Sequence, residues 1–236
     1  MPVALEKILQ QALHLVYPNT CLCCHKLLEA YERDVCSECF AGFDRFMEPG
    51  EAQVFLMATL EKNFPGESDI DRAISCYKFH KKSHLAHAIH AIKYEGFQKL
   101  AVDFGKLIGH KLRSRWPHLP FEIIVPIPLH PIKRIERTYN QAELLAQGIS
   151  QECKLRLNKL VLERARHTVS QTTFHAMERK ENLRDVFFAK QKIEHSDILL
   201  VDDVFTTGAT VLSAAKVLKN AGAKSVTVAT LAVADS

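Results

Sequence analysis

The stretch ILLVDDVFTTGAT, from Ile198 to Thr210, constrains the fold more than any other part of the chain. Four apolar residues followed by two carboxylates read as a buried strand that ends at water. Side by side in a dry core, Asp202 and Asp203 would cost several kcal/mol, roughly, to desolvate. Beyond them, Val211, Ala214, Ala215 and Leu218 recur at helical spacing and Gly222 stands where a helix would end. The stretch is therefore a strand, a turn and a helix. Asp202 and Asp203 fall at the carboxyl end of the strand, and Thr206, Thr207, Gly208, Ala209 and Thr210 at the amino end of the helix. Backbone N–H groups, the positive end of the helix dipole and several hydroxyls converge there, which suits a phosphate, and Gly208 permits close backbone approach. The carboxylates would accept hydrogen bonds from hydroxyls such as the cis-diol of a ribose, directly or with help from magnesium. The nucleoside-triphosphate loop G-x-x-x-x-G-K-[ST] and the dinucleotide fingerprint G-x-G-x-x-G are both absent.

The rest of the chain repeats the alternation. RAISCYKF reads as a strand, KKSHLAHAIHAIKYEGF as a helix up to Gly96, KLAVDFGKLIGHKLRSRW as an amphipathic helix, FEIIVPIPL as an apolar strand and YNQAELLAQGIS as a helix. KLVLER and DVFFA are strand-like, with a short helix expected around MERKENL, and SVTVATLAV closes the pattern. Alternating strands and helices predict an α/β fold with an open, mostly parallel sheet covered on both faces, with ligands bound outside the carboxyl ends of its strands.

Five of the seven cysteines crowd into CLCCHKLLEAYERDVCSEC. Cys21 with Cys24, and Cys36 with Cys39, form two C-x-x-C pairs, the spacing of a four-thiolate structural zinc site. A disulfide pair or free buried thiols are the alternatives, and Cys23 and His25 compete as ligands. Cys76 and Cys153 stand alone and read as core residues. His84, His87 and His90 share one helical face, but no carboxylate or cysteine completes a ligand set with them, so that spacing reads as a helix face and not as a metal site.

Composition sets bounds. A chain of 236 residues that is 47% apolar can bury a sizeable core, and a net charge of +4 is too weak a bias to select a nucleic-acid partner by itself. The first residues place Leu5, Ile8, Leu9, Ala12 and Val16 at helical spacing up to Pro18. This run is too short and interrupted to span a bilayer and lacks the marks of a secretory leader, so the expected location is the cytoplasm. The organisation expected is an amino-terminal helix and cysteine module over 1–45, a surface linker over 46–70, broken by prolines and glycines, and an α/β domain over 71–236.

The stretch around Asp202 resembles the signature of type I phosphoribosyltransferases, in which four apolar residues and two acids precede T-T-G-x-T. The resemblance implies that the acid pair binds the ribose hydroxyls of phosphoribosyl pyrophosphate (PRPP), that Thr206 to Thr210 hold its 5-phosphate, and that magnesium accompanies it. VYPNTCLCC with the second C-x-x-C, AIKYEGF, VPIPLHPIKRIERTYNQAELLA and HTVSQTTFHAMERKENL are similar to the ComF family, also called ComF/GntX, over nearly the whole chain. Thr138 stands where that family usually has glycine, and a β-branched residue resists a positive φ, so the resemblance does not fix the loop there.

Lys133, Arg134 and Arg137 lie in the loop after the FEIIVPIPL strand, where cations would neutralise a leaving pyrophosphate; a solvated charged loop is the alternative. Asn140 and Gln141 either cap the next helix or touch ligand. The block holding His167, Gln171, Arg179 and Asn182 carries signal only through the resemblance, and Arg164, Arg166, Arg179 and Lys180 make a locally basic stretch that nucleic acid could use. ComF relatives are associated with natural competence. The resemblance therefore implies a PRPP-binding protein that handles incoming single-stranded DNA in the cytoplasm, with competence proteins of the DNA-uptake machinery as partners. The alternative is an active transferase moving ribose 5-phosphate from PRPP to a base or other small acceptor. No residue declares itself as a general base, and no catalytic residue is assigned.

Overall fold

The computed structural model describes residues 19–48, 50–67, 69–129, 136–164, 187–193 and 195–234. The expected amino-terminal helix, the loop holding Lys133 and Arg134, and the block holding His167, Gln171, Arg179 and Asn182 lie outside them.

Five strands make one parallel sheet: β1 (Arg72–Phe79), β2 (Ile123–Pro126), β3 (Arg156–Leu157), β6 (Asp197–Phe205) and β7 (Ser225–Ala234), in the spatial order β1-β7-β6-β2-β3. Two short strands, β4 (Leu162–Arg164) and β5 (Phe187–Ala189), pair antiparallel in a separate ribbon. The fold is the α/β class that the alternation predicts.

Side chains of β6 alternate between two cores, as a doubly covered strand requires. Leu199 and Val201 pack with α3 (His84–Tyr94), α4 (Gln98–Arg115) and α5 (Gln141–Cys153), through residues such as Ile89, Ile108 and Ile149. Ile198 and Leu200 pack on the opposite face with α2 (Glu51–Asn63) and α6 (Ala209–Asn220), through Leu56, Val211 and Leu218.

The segment read from sequence as a surface linker is the main departure. It holds α2, whose Leu56 is fully buried, and residues 44–46 run along the free edge of β1. There the Phe46 N–H donates to the Cys76 carbonyl at 3.3 Å and the Lys78 N–H to the Asp44 carbonyl at 2.8 Å, which closes an edge that would otherwise invite pairing. The cysteine segment, with the short α1 (Ser37–Ala41), packs onto the α3 and α4 face. The Phe43 ring meets Tyr77 edge-on at 5.4 Å, so the core there is continuous with that of the sheet.

Helices α4 and α5 cross closely enough that their backbones meet through glycines. A Cβ on Gly105 would lie 2.2 Å from the Leu145 carbonyl oxygen, and one on Gly148 2.0 Å from that of Val102. Neither backbone can yield without separating the helices. Gly148→Ala is therefore expected to destabilise the fold by about 3 kcal/mol, the upper end of the usual range for overpacked cores, read as a lower midpoint in urea unfolding.

Candidate functional site

Strand order reverses between β2 and β6. The chain leaves β2 through α5 to β3 on one side, and leaves β6 through α6 to β7 on the other. Such a divergence opens a crevice at the carboxyl ends of the two central strands. A pocket of about 320 Å³ occupies that place, with Asp202, Asp203, Thr206 and Thr210 on one side and Ile127 to Leu129 and Asn140 on the other. Two larger hollows, of about 390 and 410 Å³, contain neither the acid pair nor the threonine turn, so size does not mark the site.

The acids are held by their own strand. Asp202 Oδ1 accepts the Asp203 N–H at 2.9 Å and Asp203 Oδ1 accepts the Val204 N–H at 2.7 Å. Asp203 Oδ2 meets Lys93 Nζ at 2.7 Å. Burial, and then the negative charge of Asp203, push the Asp202 carboxyl up to about 7, against the weaker pull of the Asp203 N–H, Lys93 and Arg164. One acid of the pair is thus paired with a cation while its neighbour holds a proton near neutrality.

The threonine turn forms as the sequence predicts, with one change of reason. Gly208 is the N-cap of α6 at φ +87°, a conformation that favours glycine. A Cβ there would lie 2.4 Å from Leu60 Cδ2 and 2.9 Å from the Phe205 ring, so this glycine serves packing of the turn against α2. Asn63 Nδ2 also donates to the Thr207 carbonyl at 3.0 Å. Thr206 and Thr210 reach the pocket, while Thr207, Gly208 and Ala209 form the turn behind it; Thr207 Oγ1 accepts the Ala209 N–H at 3.4 Å.

Of Lys133, Arg134 and Arg137, the described residues include Arg137 alone. Its guanidinium lies over the Tyr94 ring at 5.0 Å and donates to the Tyr94 hydroxyl at 2.9 Å and to Gln141 Oε1 at 3.3 Å. Its Nε is buried with no hydrogen-bond partner among the described residues. Arg137 is therefore a fixed cation of the pocket wall. Beside it, Thr138 adopts φ +57° despite its branched Cβ, with Oγ1 donating to the Arg137 carbonyl at 2.7 Å. Asn140 takes the capping role of the two left open by the sequence, and it also stands at the pocket. Its Oδ1 caps α5 by accepting the Ala142 N–H at 3.1 Å, its Nδ2 donates to the Ile127 carbonyl at 2.9 Å, and it lines the pocket.

Two charged pocket residues were not singled out for it by sequence reasoning. Lys93 comes from α3; it lies in the AIKYEGF stretch that carries the family resemblance, but nothing in that stretch assigns it to this pocket. Arg164, read as part of a basic stretch for nucleic acid, is turned into the pocket from β4. Its guanidinium lies 5.2 Å over the ring of Phe187, its partner across the β4–β5 ribbon, and its Nε is buried without a partner among the described residues.

The cysteine pairs converge as their spacing predicts. One sulfur atom from each of Cys21, Cys24, Cys36 and Cys39 lies within 4.8 Å of the others, a group that could hold a metal ion. Cys24 Sγ and Cys36 Sγ are 3.7 Å apart. A tetrahedron with metal–sulfur bonds near 2.3 Å has edges of about 3.8 Å, so the donors fit zinc. Backbone amides complete the knuckles, the Cys36 N–H reaching Cys21 Sγ at 3.3 Å and the Cys39 N–H reaching Cys36 Sγ at 3.4 Å. Burial raises the Cys21 thiol, but N–H donors from Cys36, Cys24 and Cys23 outweigh it and bring it down to about 6. Cys23 is outside the cluster: its thiol donates to the His84 carbonyl at 3.2 Å, and burial pushes it up to about 12. Cys76 and Cys153 are buried core thiols, raised by burial to about 12 and about 11. On the histidine face, His90 pairs with Glu95 at 3.1 Å.

Residues 140–236, which carry the acid pair and the threonine turn, match the family model described as a phosphoribosyl transferase domain. Competence protein F of Haemophilus influenzae is 34% identical over 110 residues, 45% of this chain and 48% of that protein. DNA utilization protein YhgH of Escherichia coli strain K12 is 31% identical over 148 residues, 61% of this chain and 65% of that protein. Competence protein ComFC of Bacillus subtilis is 29% identical over 133 residues, 55% of this chain and 51% of that protein. These relatives, with the matched domain, support a ComF family protein, and the chain spans about half to two thirds of their length. Among solved structures, a purine phosphoribosyltransferase from Pyrococcus horikoshii is 18% identical with a TM-score of 0.37, covering 56% of this chain and 74% of that one, too low a likeness to bear on the site.

The raised Asp202 carboxyl has a consequence for stability. The folded state binds this proton more tightly than the unfolded chain, whose carboxylate titrates near 4. Its stabilising effect is fully present below about pH 4 and is lost as pH rises through about 7. Asp202→Asn is expected to raise the unfolding temperature at pH 8, by no more than about 4 kcal/mol in free energy at about 1.4 kcal/mol per pH unit, with the gain vanishing toward pH 4. Thermal unfolding across that range checks it.

Proposed function

We propose that this pocket binds a phosphorylated ribose, with PRPP as its ligand. Asp202 and Asp203 take the ribose hydroxyls, Thr206 to Thr210 and the amino end of α6 take the 5-phosphate, and magnesium accompanies the pyrophosphate. The observation that carries this reading is the placement of the acid pair and the threonine turn at one switch-point pocket, with Lys93, Arg137 and Arg164 on its walls. The carboxylates accept from hydroxyls, the helix terminus receives a phosphate, and the wall cations offset the charge of a pyrophosphate. Lys133 and Arg134, in the same loop as Arg137, belong to the pyrophosphate side in this reading. Calorimetric titration with PRPP and magnesium is expected to give saturable binding to wild type and binding weaker by about tenfold or more for Asp203→Asn, which loses a charged acceptor. Absence of binding to wild type would defeat the reading.

In the cell, the reading is a role in natural competence, handling incoming single-stranded DNA in the cytoplasm beside the proteins of the uptake machinery. It is supported by the names of the relatives, and no helix among the described residues is long and apolar enough to cross a membrane. Direct DNA contact requires affinity that falls with rising salt; single-stranded DNA that fails to bind even at low ionic strength would remove it. Active transfer to a base or other small acceptor is the second reading, supported by the matched domain. Pyrophosphate released from PRPP in the presence of a nucleobase panel would select it, and binding without release would select the first.

Zinc is the metal we assign to Cys21, Cys24, Cys36 and Cys39. Four thiolates leave no open position for substrate, so its role is structural. Elemental analysis is expected to find one zinc per chain, lost in Cys36→Ser together with several kcal/mol, roughly, of stability. Zinc retained in full by that variant would contradict the assignment.

A further inference from the structure

Lys93 lies outside residues 140–236, which match the transferase domain, yet among the described residues it is the cation in ion-pair contact with the acid pair. The Lys93 and Asp203 side chains are only 20% and 18% exposed, and the 2.7 Å contact is at the pocket wall. Lys93 stands in the last turn of α3, where the helix carbonyls favour a positive charge. That turn is pinned on both sides of it. The Tyr139 hydroxyl donates to the Ile92 carbonyl, and the Tyr94 hydroxyl receives Arg137 at 2.9 Å.

An ammonium carries three donors. One is spent on Asp203 Oδ2, and the others remain for a ligand oxygen in the pocket that Lys93 lines. The Asp203 carboxylate, joined by Asp202 wherever that residue is ionised, would otherwise repel an anionic sugar phosphate, and the repulsion is strong where water is scarce. A dissolved divalent cation can relieve it from outside. A lysine already seated on Asp203 relieves it from within and at fixed geometry.

Resting on the phosphoribose reading above, we propose that Lys93 is a positioning residue that acts as a built-in cation at the acid pair, so that the ribose phosphate portion of the ligand binds without a divalent metal. The probe is ribose 5-phosphate, which lacks the magnesium-chelating pyrophosphate. Affinity is measured with magnesium omitted and then supplied, and with no chelator, so that the cysteine cluster keeps its metal. Wild type is expected to bind equally in both conditions, within about twofold. Lys93→Met is expected to bind about tenfold more weakly or worse without magnesium and to recover in part when magnesium is added, because truncation leaves Asp203 unpaired. Lys93→Arg is expected to restore binding without magnesium, a rescue that a merely structural lysine would not require. Wild-type binding that depends on magnesium would overturn the proposal, as would Lys93→Met binding like wild type without it. Should Lys93→Met fail to fold by thermal unfolding, the wild-type comparison decides. Absence of wild-type binding in both conditions would defeat the phosphoribose reading and this proposal with it.

Discussion

The parallel pairing of β2 with β6 is the constraint on which the site depends. Ile123 to Pro126 run in register with Ile198 to Val201, and both strands are buried where they pair. The chain then turns opposite ways from the two strands, so no connection crosses their carboxyl ends. The residues that follow immediately are Asp202 and Asp203 on one strand and Ile127 to Leu129 on the other. A slip of one residue in β6 would send Leu199 and Val201 into the opposite core and turn Asp202 and Asp203 to exchanged faces. The apolar ladder thus sets the position of the acids more firmly than any contact of their own.

Helix α3 joins the two ends of the molecule that carry chemistry. At its start the His84 carbonyl receives the Cys23 thiol, within the knuckle whose flanking Cys21 and Cys24 belong to the four-cysteine cluster. At its end Lys93 reaches Asp203 and Tyr94 supports Arg137. The interior of the helix is fixed by Leu85, Ile89 and Ile92 in the main core. An 11-residue helix packed in this way gives the pocket wall and the cysteine cluster a common rigid support. On the other face, α2 does the same for the threonine turn through Leu60 and Asn63.

These supports explain what could and could not be read in the sequence. The stretch from Ile198 to Thr210 declared its strand, turn and helix because burial, charge and helix capping all change within a few residues. The C-x-x-C pairs declared their cluster because thiols at that spacing have few other uses. Helix α2 was missed since glycines and prolines bracket it and exposed Val54 blurs the period of its buried Leu56 and Leu60. Gly208 was legible as a glycine that a turn needs, but its crowding against Leu60 depends on a partner far away in the chain. Lys93 and Arg164 were beyond reach for the same reason. A surface-type cation becomes a pocket residue only through the tertiary neighbour it faces, and for Lys93 that neighbour is Asp203, on a strand near the other end of the chain.

In the proposed function, the carboxyl ends of β2 and β6, with the amino end of α6, form one phosphate-binding place. Amide hydrogen exchange with and without ribose 5-phosphate tests it most directly, because the claim concerns backbone N–H groups. Slowed exchange is expected from Thr207 to Val211, with the amides of Cys21 to Cys39 unchanged. Saturating ligand that leaves the Thr207 to Val211 amides exchanging at their free rate, or that protects the cysteine segment in their place, would contradict it.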